Sequence, residues 1–347
     1  MASTIRDVAE RAGVSIATVS RVINNNSSHR VRPDTARKVI DAVIALEYSP
    51  SGAARDLRRG NSKNGTSLNI GVLLTSSIDS YNDNFFRDIL LGIQEETANT
   101  GHTISFAHSL DTVPQAVIEE AICNPTLNGV ILLGRMSAQT LFMVKKNVSH
   151  IIYAGLNPLN QGFDEVVCDA YSCAKEAVSY LVSCGYKKIG FIGTAAHSGS
   201  SALINEYRYD GYLDAMAERN LEVKSEFIID TPLNIEMSFH SVDQRMRQKK
   251  HPDAFFCAND YCAIGALKAL RQHRIRVPRD IGIIGIDDLE MSAYSSPMLT
   301  TFHIPRQEIG IYSVRLLTDQ IYQNRKLPLR LQLPYTLVTR ESCKKPL

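Results

Sequence analysis

The sequence predicts an α/β protein: a small all-α unit at the amino end, then a large doubly wound parallel sheet. Three observations predict it. Up to about residue 47 the apolar side chains recur at helical spacing. From Leu68 onward, continuous apolar runs alternate with amphipathic segments. Between them lies the polar stretch Gly60-Asn61-Ser62-Lys63-Asn64-Gly65-Thr66-Ser67, which reads as a flexible linker. A chain of 347 residues fits one large domain plus one small one.

In the first unit Ile5, Val8, Ala9 and Ala12 mark a helix that Gly13 stops. Ser15 suits the N-cap of a second helix carrying Ile16, Val19, Val22 and Ile23. Pro33 and Asp34 suit the first turn of a third, whose buried stripe is Ala36, Val39, Ile40, Val43 and Leu46. In the second unit, apolar runs at 70–74, 130–133, 151–154, 189–192, 254–258 and 281–286 suit parallel strands covered on both faces. Amphipathic segments at 85–97, 171–183, 206–219 and 262–273 supply covering helices. Periodicity leaves open whether these strands form one sheet or two.

Composition narrows the function. Residues 1–63 carry 11 Lys and Arg against 6 Asp and Glu, and the remainder 27 against 30. A basic end on a mildly acidic body points to a polyanionic partner. The amino terminus has no signal-peptide pattern and no apolar run reaches membrane length, so a cytoplasmic location is expected. The seven cysteines include no C-x-x-C pair, so reduced, buried thiols are expected. Gly190-x-x-Gly193 is only a fragment of a dinucleotide loop, and neither a Ser/His/Asp order nor metal-ligand spacing stands out. No enzyme activity, cofactor or metal is expected.

The strongest motif runs from Thr4 to Asn24. A tight turn at Gly13-Val14-Ser15 sets two helices at an angle, so that the second can enter a major groove with its first residues on base edges. This stretch resembles the helix-turn-helix headpiece of the LacI/GalR family of transcription factors almost position for position. The resemblance implies that Ile16 and Ala17 read the operator half-site with Arg21 alongside. It implies that Ser15, Thr18 and Asn24 hold phosphates or fix register, and that Thr4 belongs to the same DNA-binding set. Ile-Ala here is close to the galactose-responsive branch and unlike the Tyr-Gln of the lactose repressor. The next match, Tyr48 to Leu57, resembles the family's hinge helix, with Leu57 as the minor-groove wedge. Ser51 departs from the usual Asn, and Gly52 weakens a helix by about 1 kcal/mol.

From about Leu68 to Arg340 the chain resembles the family's effector domain, a two-lobed, periplasmic-binding-protein-like sensor. The implied organisation is a headpiece at 1–47, hinge helix and linker at 48–67, and an effector-binding and dimerisation domain at 68–340. Lobe 1 would hold about 68–168 and 300–328, lobe 2 about 169–299 and 329–340. Carried over singly, Arg208, Asn259, Asp287 and Asn157 are effector-binding, as are Asp79 and the aromatic pair Phe85 and Phe86. Loop capping is an alternative role for Asn259 and Asp287, and core packing for Phe86. Ile304 stands where relatives often carry a polar residue.

The resemblance implies a homodimer on pseudo-palindromic double-stranded operator DNA, its interface built from helices around 85–97 and 262–273. The C-terminal 333–347 lacks the leucine heptads of a tetramer. The implied function is repression of a sugar-utilisation operon, released by a small sugar such as galactose or a galactoside. A phosphorylated or purine ligand would call for more basic residues. A corepressor- or partner-dependent regulator and a transport binding protein are the competing readings.

Overall fold

The computed structural model describes residues 5–23, 35–39, 42, 46, 67–75, 84–134, 136–195, 206–248 and 250–347, with backbone alone at 5, 17, 20, 21 and 23. The chain forms two units, Met1–Ser67 and Leu68–Leu347.

In the first unit, helices α1 (Ile5–Ala12) and α2 (Ile16–Ile23) are followed by a helical stretch over 35–39. Gly13 ends α1 with φ +62°, a region that costs glycine nothing. Its N–H donates to the Glu10 carbonyl at 3.1 Å, and the Val14 N–H to the Ala9 carbonyl at 3.0 Å. Ser15 starts α2, its Oγ accepting from the Thr18 N–H at 3.2 Å. Val8, Val19 and Val39 are fully buried together, with Ala9, Ala12 and Ala42 around them. Ile16, on the first turn of α2 and outside this cluster, is 38% exposed. Pro33, Asp34, Ile40 and Val43 lie outside the described residues.

The second unit runs β1 (Asn69–Leu74), α3 (Asn84–Thr100), β2 (Thr103–Ser109), α4 (Gln115–Ile122), β3 (Gly129–Leu133), α5 (Ala138–Asn147), β4 (Ile151–Gly155) and β5 (Asp164–Val167). It continues with α6 (Ala170–Ser183), β6 (Ile189–Gly193), α7 (Arg208–Glu218), β7 (Ile228–Asp230), α8 (Ile235–Met246), β8 (Ala254–Cys257) and α9 (Asp260–Gln272). The last elements are β9 (Gly282–Asp287), α10 (Glu290–Tyr294), β10 (Thr300–His303), α11 (Arg306–Tyr322), β11 (Arg330–Gln332) and β12 (Thr336–Val338).

The strands form two six-stranded sheets, β11-β5-β4-β3-β1-β2 and β12-β10-β9-β8-β6-β7. Every pairing is parallel except β10 with β12. The inner strands β1, β3, β4, β6, β8 and β9 are buried almost throughout, as strands covered by helices on both faces must be. Each sheet is therefore the centre of a lobe, and the chain crosses between lobes three times. The crossings correct the expected boundaries. Strand β10 pairs with β9, so 300–303 belongs to the second lobe, and β11 pairs with β5, so 330–332 belongs to the first. Ile304, at the second crossing, is fully buried.

Helices α3 and α11 pack unusually close. A Cβ on Gly92 would meet the Gln307 carbonyl, and one on Gly310 the Ile89 carbonyl, each at 2.0 Å. Nine of the thirteen residues of α9 are buried, and the helix packs against α8 and the strands β6, β8 and β9. All seven cysteines are free thiols, six of them buried. Burial pushes Cys168 up to about 11. Among the described residues no helix is long and apolar enough to cross a membrane.

Candidate functional site

The carboxyl ends of the inner strands of both sheets open on one cavity of about 700 Å³, where parallel-sheet proteins of this kind bind ligands. The first lobe contributes Thr75 after β1, Gly134 after β3, Gly155 and Asn157 at the end of β4, and Phe85 and Phe86 in the first turn of α3. The second contributes Thr194 after β6, Glu206, Arg208 at the start of α7, Asn259 after β8, Tyr261 in α9 and Asp287 at the end of β9.

Arg208 and Glu206 form the core of the second wall. Arg208 is 6% exposed and Glu206 2%. Nε of Arg208 donates to Glu206 Oε1 at 2.6 Å, and Nη2 donates to Oε2. The backbone N–H of Arg208 also donates to Oε1, at 3.1 Å, and Nη1 donates to the Ala258 carbonyl at 2.7 Å. Burial works against the positive charge, but the Coulombic pull and hydrogen bonds of Glu206 outweigh it. The Arg208 guanidinium is held above its ordinary value.

Asn259 does two things. Its Oδ1 accepts from the Cys262 N–H at 2.9 Å, capping α9, and its Nδ2 donates to the Leu233 carbonyl at 3.3 Å. It lines the cavity as well, so the capping alternative and the pocket position are both realised. Asp287 holds φ +119° and Asp288 φ +52°, backbone that costs a non-glycine residue on the order of 1–3 kcal/mol. This bend turns the end of β9 toward the cavity. The Asp287 carbonyl accepts from Arg306 Nη1, and Arg306 Nε donates to Asp88 Oδ2 at 3.0 Å on α3 of the first lobe.

Beneath the second wall Asp260 is fully buried. It accepts from Ser292 Oγ at 2.6 Å, Thr301 Oγ1 at 2.5 Å and the Leu289 N–H at 2.9 Å. Burial outweighs these donors and pushes its carboxyl up to about 7.

On the first wall Phe85 and Phe86 meet edge to face, centroids 5.2 Å apart. Phe85 is buried in the core cluster while lining the cavity, so packing and wall position coincide. Gly134, at φ +81°, lets Phe86 and Thr75 approach; a Cβ there would lie 2.8 Å from the Phe86 ring. A hydrogen bond also joins the two walls: the Asn84 N–H at the start of α3 donates to Tyr261 Oη at 2.9 Å.

Of the sensor residues singled out from sequence, Phe85, Phe86, Asn157, Arg208, Asn259 and Asp287 line this one cavity, and Asp79 lies outside the described residues. In the first unit Ser15 and Ile16 are exposed and Thr18 half-buried on the first turn of α2. Ala17 and Arg21 belong to α2, with side chains outside the described residues, as are Thr4, Asn24 and Leu57 altogether. Sequence reasoning missed Glu206 and Tyr261. Glu206 stands two residues before the arginine, a spacing that could have flagged the ion pair. Tyr261 carried no signal, since its partner is 177 residues away.

A helical unit with an exposed second-helix turn, joined in one chain to a two-lobed cleft, defines a ligand-sensing DNA-binding protein. Comparison with known proteins agrees. Residues 4–51 match the family described as bacterial regulatory proteins, lacI family, and residues 178–343 match a periplasmic binding protein-like domain. The chain is 30% identical to the HTH-type transcriptional repressor PurR of Mannheimia succiniciproducens, over 99% of both proteins. It is 31% identical to the HTH-type transcriptional repressor MelR of Bacillus subtilis, over 98% of this chain and 97% of that one. Among solved structures, the lac repressor dimer bound to operator and the anti-inducer ONPF aligns over 99% of each chain, with 25% identity and a TM-score of 0.72. A CelR–cellobiose complex, at 24% identity over 98% of this chain and 99% of that one, shares the fold with a TM-score of 0.71.

The chain belongs to the LacI family of bacterial regulatory proteins and is a DNA-binding transcriptional repressor rather than an enzyme. Repressors of this family bind operator DNA and small-molecule effectors as dimers.

Proposed function

We propose that this repressor controls a sugar-utilisation operon and that a neutral sugar in the cleft, galactose or a galactoside first among candidates, releases it from its operator. One observation supports this above the rest. Amide, hydroxyl, carboxylate and guanidinium groups converge from both lobes on one cavity with an aromatic wall. Sugar hydroxyls donate and accept at once, so they are matched by such a mixed set, and the aromatic rings suit the apolar face of a pyranose. In the proposed roles Asn157 holds the ligand from the first lobe, and Arg208, Asn259 and Asp287 from the second. Phe85 and Phe86 form the platform, and Asp79 completes it.

On DNA, Ile16 and Ala17 make apolar base contacts, Arg21 reads guanine, and Thr4, Ser15, Thr18 and Asn24 fix register on phosphates. Leu57 is the minor-groove wedge. Two copies act together, since one helix-turn-helix reads a half-site. Ligand and operator oppose each other reciprocally: each weakens the other by the same factor. A near-complete switch requires about 10⁴-fold preference of the ligand for the released state.

The test is fluorescence anisotropy on a symmetric duplex selected by the protein from a random pool, titrated with galactose, galactosides, cellobiose and purines. Loss of operator binding with a sugar is expected. A second reading, a corepressor-dependent regulator, is favoured by the PurR relatives. It requires the opposite sign, a purine tightening operator binding. Leu57→Ala should weaken binding to the selected duplex more than tenfold and leave binding to scrambled DNA nearly intact. Equal loss on both would refute the wedge.

A further inference from the structure

We infer that Glu206 is a specificity-determining residue: by occupying the guanidinium fork of Arg208 it sets the cleft to accept uncharged ligands and reject carboxylates and phosphates. This rests on the reading of the inter-lobe cavity as the effector site, but not on the effector's being a sugar.

An arginine facing a ligand cavity is ordinarily a receptor for anions, because its planar fork matches a carboxylate or phosphate with two parallel hydrogen bonds. Here that side is already taken from within the protein. Nε and Nη2 of Arg208 both donate to the Glu206 carboxylate, and Nη1 donates to the Ala258 carbonyl. The internal carboxylate does what a ligand anion would do, and it is fixed. The backbone N–H of Arg208 also donates to it, so its place is tied to the start of α7. Both side chains are nearly inaccessible, 8% and 1% exposed, so solvent and salt screen the pair weakly.

Two consequences follow for a ligand. First, of the five guanidinium N–H groups three are engaged in this way, leaving two to donate. A hydroxyl accepts one of these and donates its own proton to a carboxylate; an anion accepts only. Second, the charge of the wall is inverted. Among the described residues that line the cavity, one guanidinium stands against the carboxylates of Asp111, Glu206 and Asp287. An anionic ligand is repelled by these described carboxylates, while a neutral polyol of the same shape is not.

The closing experiment uses the full-length protein and ligand pairs matched in shape but not charge. These are galactose against galacturonate, glucose against glucuronate, and inosine against inosine monophosphate. Inorganic phosphate at constant ionic strength serves as a probe that needs no knowledge of the effector. Thermal shift and calorimetry give the neutral-to-anion preference for wild type, Glu206→Gln and Glu206→Asp. Wild type should prefer the neutral member of whichever pair binds and gain nothing from phosphate. Glu206→Gln removes the charge and leaves a single acceptor oxygen, which frees one arm of the fork, so its preference should swing toward the anion by at least tenfold and phosphate should raise its melting temperature. Glu206→Asp keeps the charge and should keep the wild-type preference.

If wild type binds inosine and no sugar, the sugar reading fails and the role of Glu206 stands. The role is overturned if wild type binds the anionic member as well as the neutral one, or if Glu206→Gln responds to phosphate and uronates no more than wild type. Should Glu206→Gln fail to fold, wild type still decides, since equal binding of its neutral and anionic ligands, or stabilisation by phosphate, overturns the role.

Discussion

The two lobes share one strand order, five parallel strands and a sixth supplied by the returning chain, yet they furnish opposite walls of the cleft. The first lobe offers Phe85 and Phe86, the hydroxyl of Thr75 and the amide of Asn157. The second offers a buried ion pair, a strained aspartate and a capping asparagine. Topology fixes where the wall is, at the carboxyl ends of the strands. The residues just beyond each strand fix what it can recognise. The first wall is shaped by packing, so substitutions there should act through volume. The second is held by charge, so substitutions there should act through electrostatics.

The largest effect expected from this contrast is Arg208→Ala. It leaves the Glu206 carboxylate buried without its guanidinium, a change that costs about 3–5 kcal/mol. Urea unfolding should register that loss, and ligand titration should find operator binding unresponsive. A variant with normal ligand release would show that the second wall is not held by this pair.

Next comes pH. Asp260 titrates near 7 in the folded protein and near 3.8 when unfolded, so the native state binds its proton more tightly. The stabilising contribution of the protonated form is complete below about pH 3.8, falls as pH rises and is lost above about 7. At about 1.4 kcal/mol for each pKa unit, the decline amounts to up to about 4 kcal/mol. Unfolding curves at pH 5 and pH 8 should show this slope in wild type and lose it in Asp260→Asn. An unchanged slope would place the titration elsewhere.

Gly92→Ala probes the first lobe by volume alone. Its methyl would run into the Gln307 carbonyl at the α3–α11 contact, and overpacking of this kind costs about 1–3 kcal/mol. The loss should be independent of pH and salt; a salt-dependent loss would break the contrast between the lobes. The smallest effect is expected from Tyr261→Phe, which removes the hydrogen bond from the Asn84 N–H across the cleft. A net loss of about 0.5–1.5 kcal/mol is expected, read by calorimetry as a change of up to about tenfold in ligand affinity.

Much of this was legible in the sequence. Buried parallel strands leave continuous apolar runs, and all six of those runs became inner strands. The turn at Gly13 and the cap at Ser15 are local chemistry, so they read directly. What failed was non-local. Strand β2 is half exposed at the sheet edge and lacks an apolar run, and β11 and β12 are three residues each. Thr300-Thr301-Phe302-His303 does not announce which sheet it joins; only pairing with β9 does. In the site, Asn259 and Asp287 stood at recognisable places after strands, and Arg208 was carried over from the family resemblance. Glu206 read as the polar first residue of an amphipathic segment until burial showed what it faces, and Asn259 serves as cap and wall together because one amide has enough hydrogen-bonding groups for both.

The most direct test of the central claim is the affinity of the full-length dimer for its selected duplex, measured across a titration of neutral sugars. A sugar that occupies the cleft should lower operator affinity at least a hundredfold, and saturating duplex should weaken binding of that sugar by the same factor. If cleft ligands bind while operator affinity stays constant, cleft and reader are uncoupled and the account is contradicted.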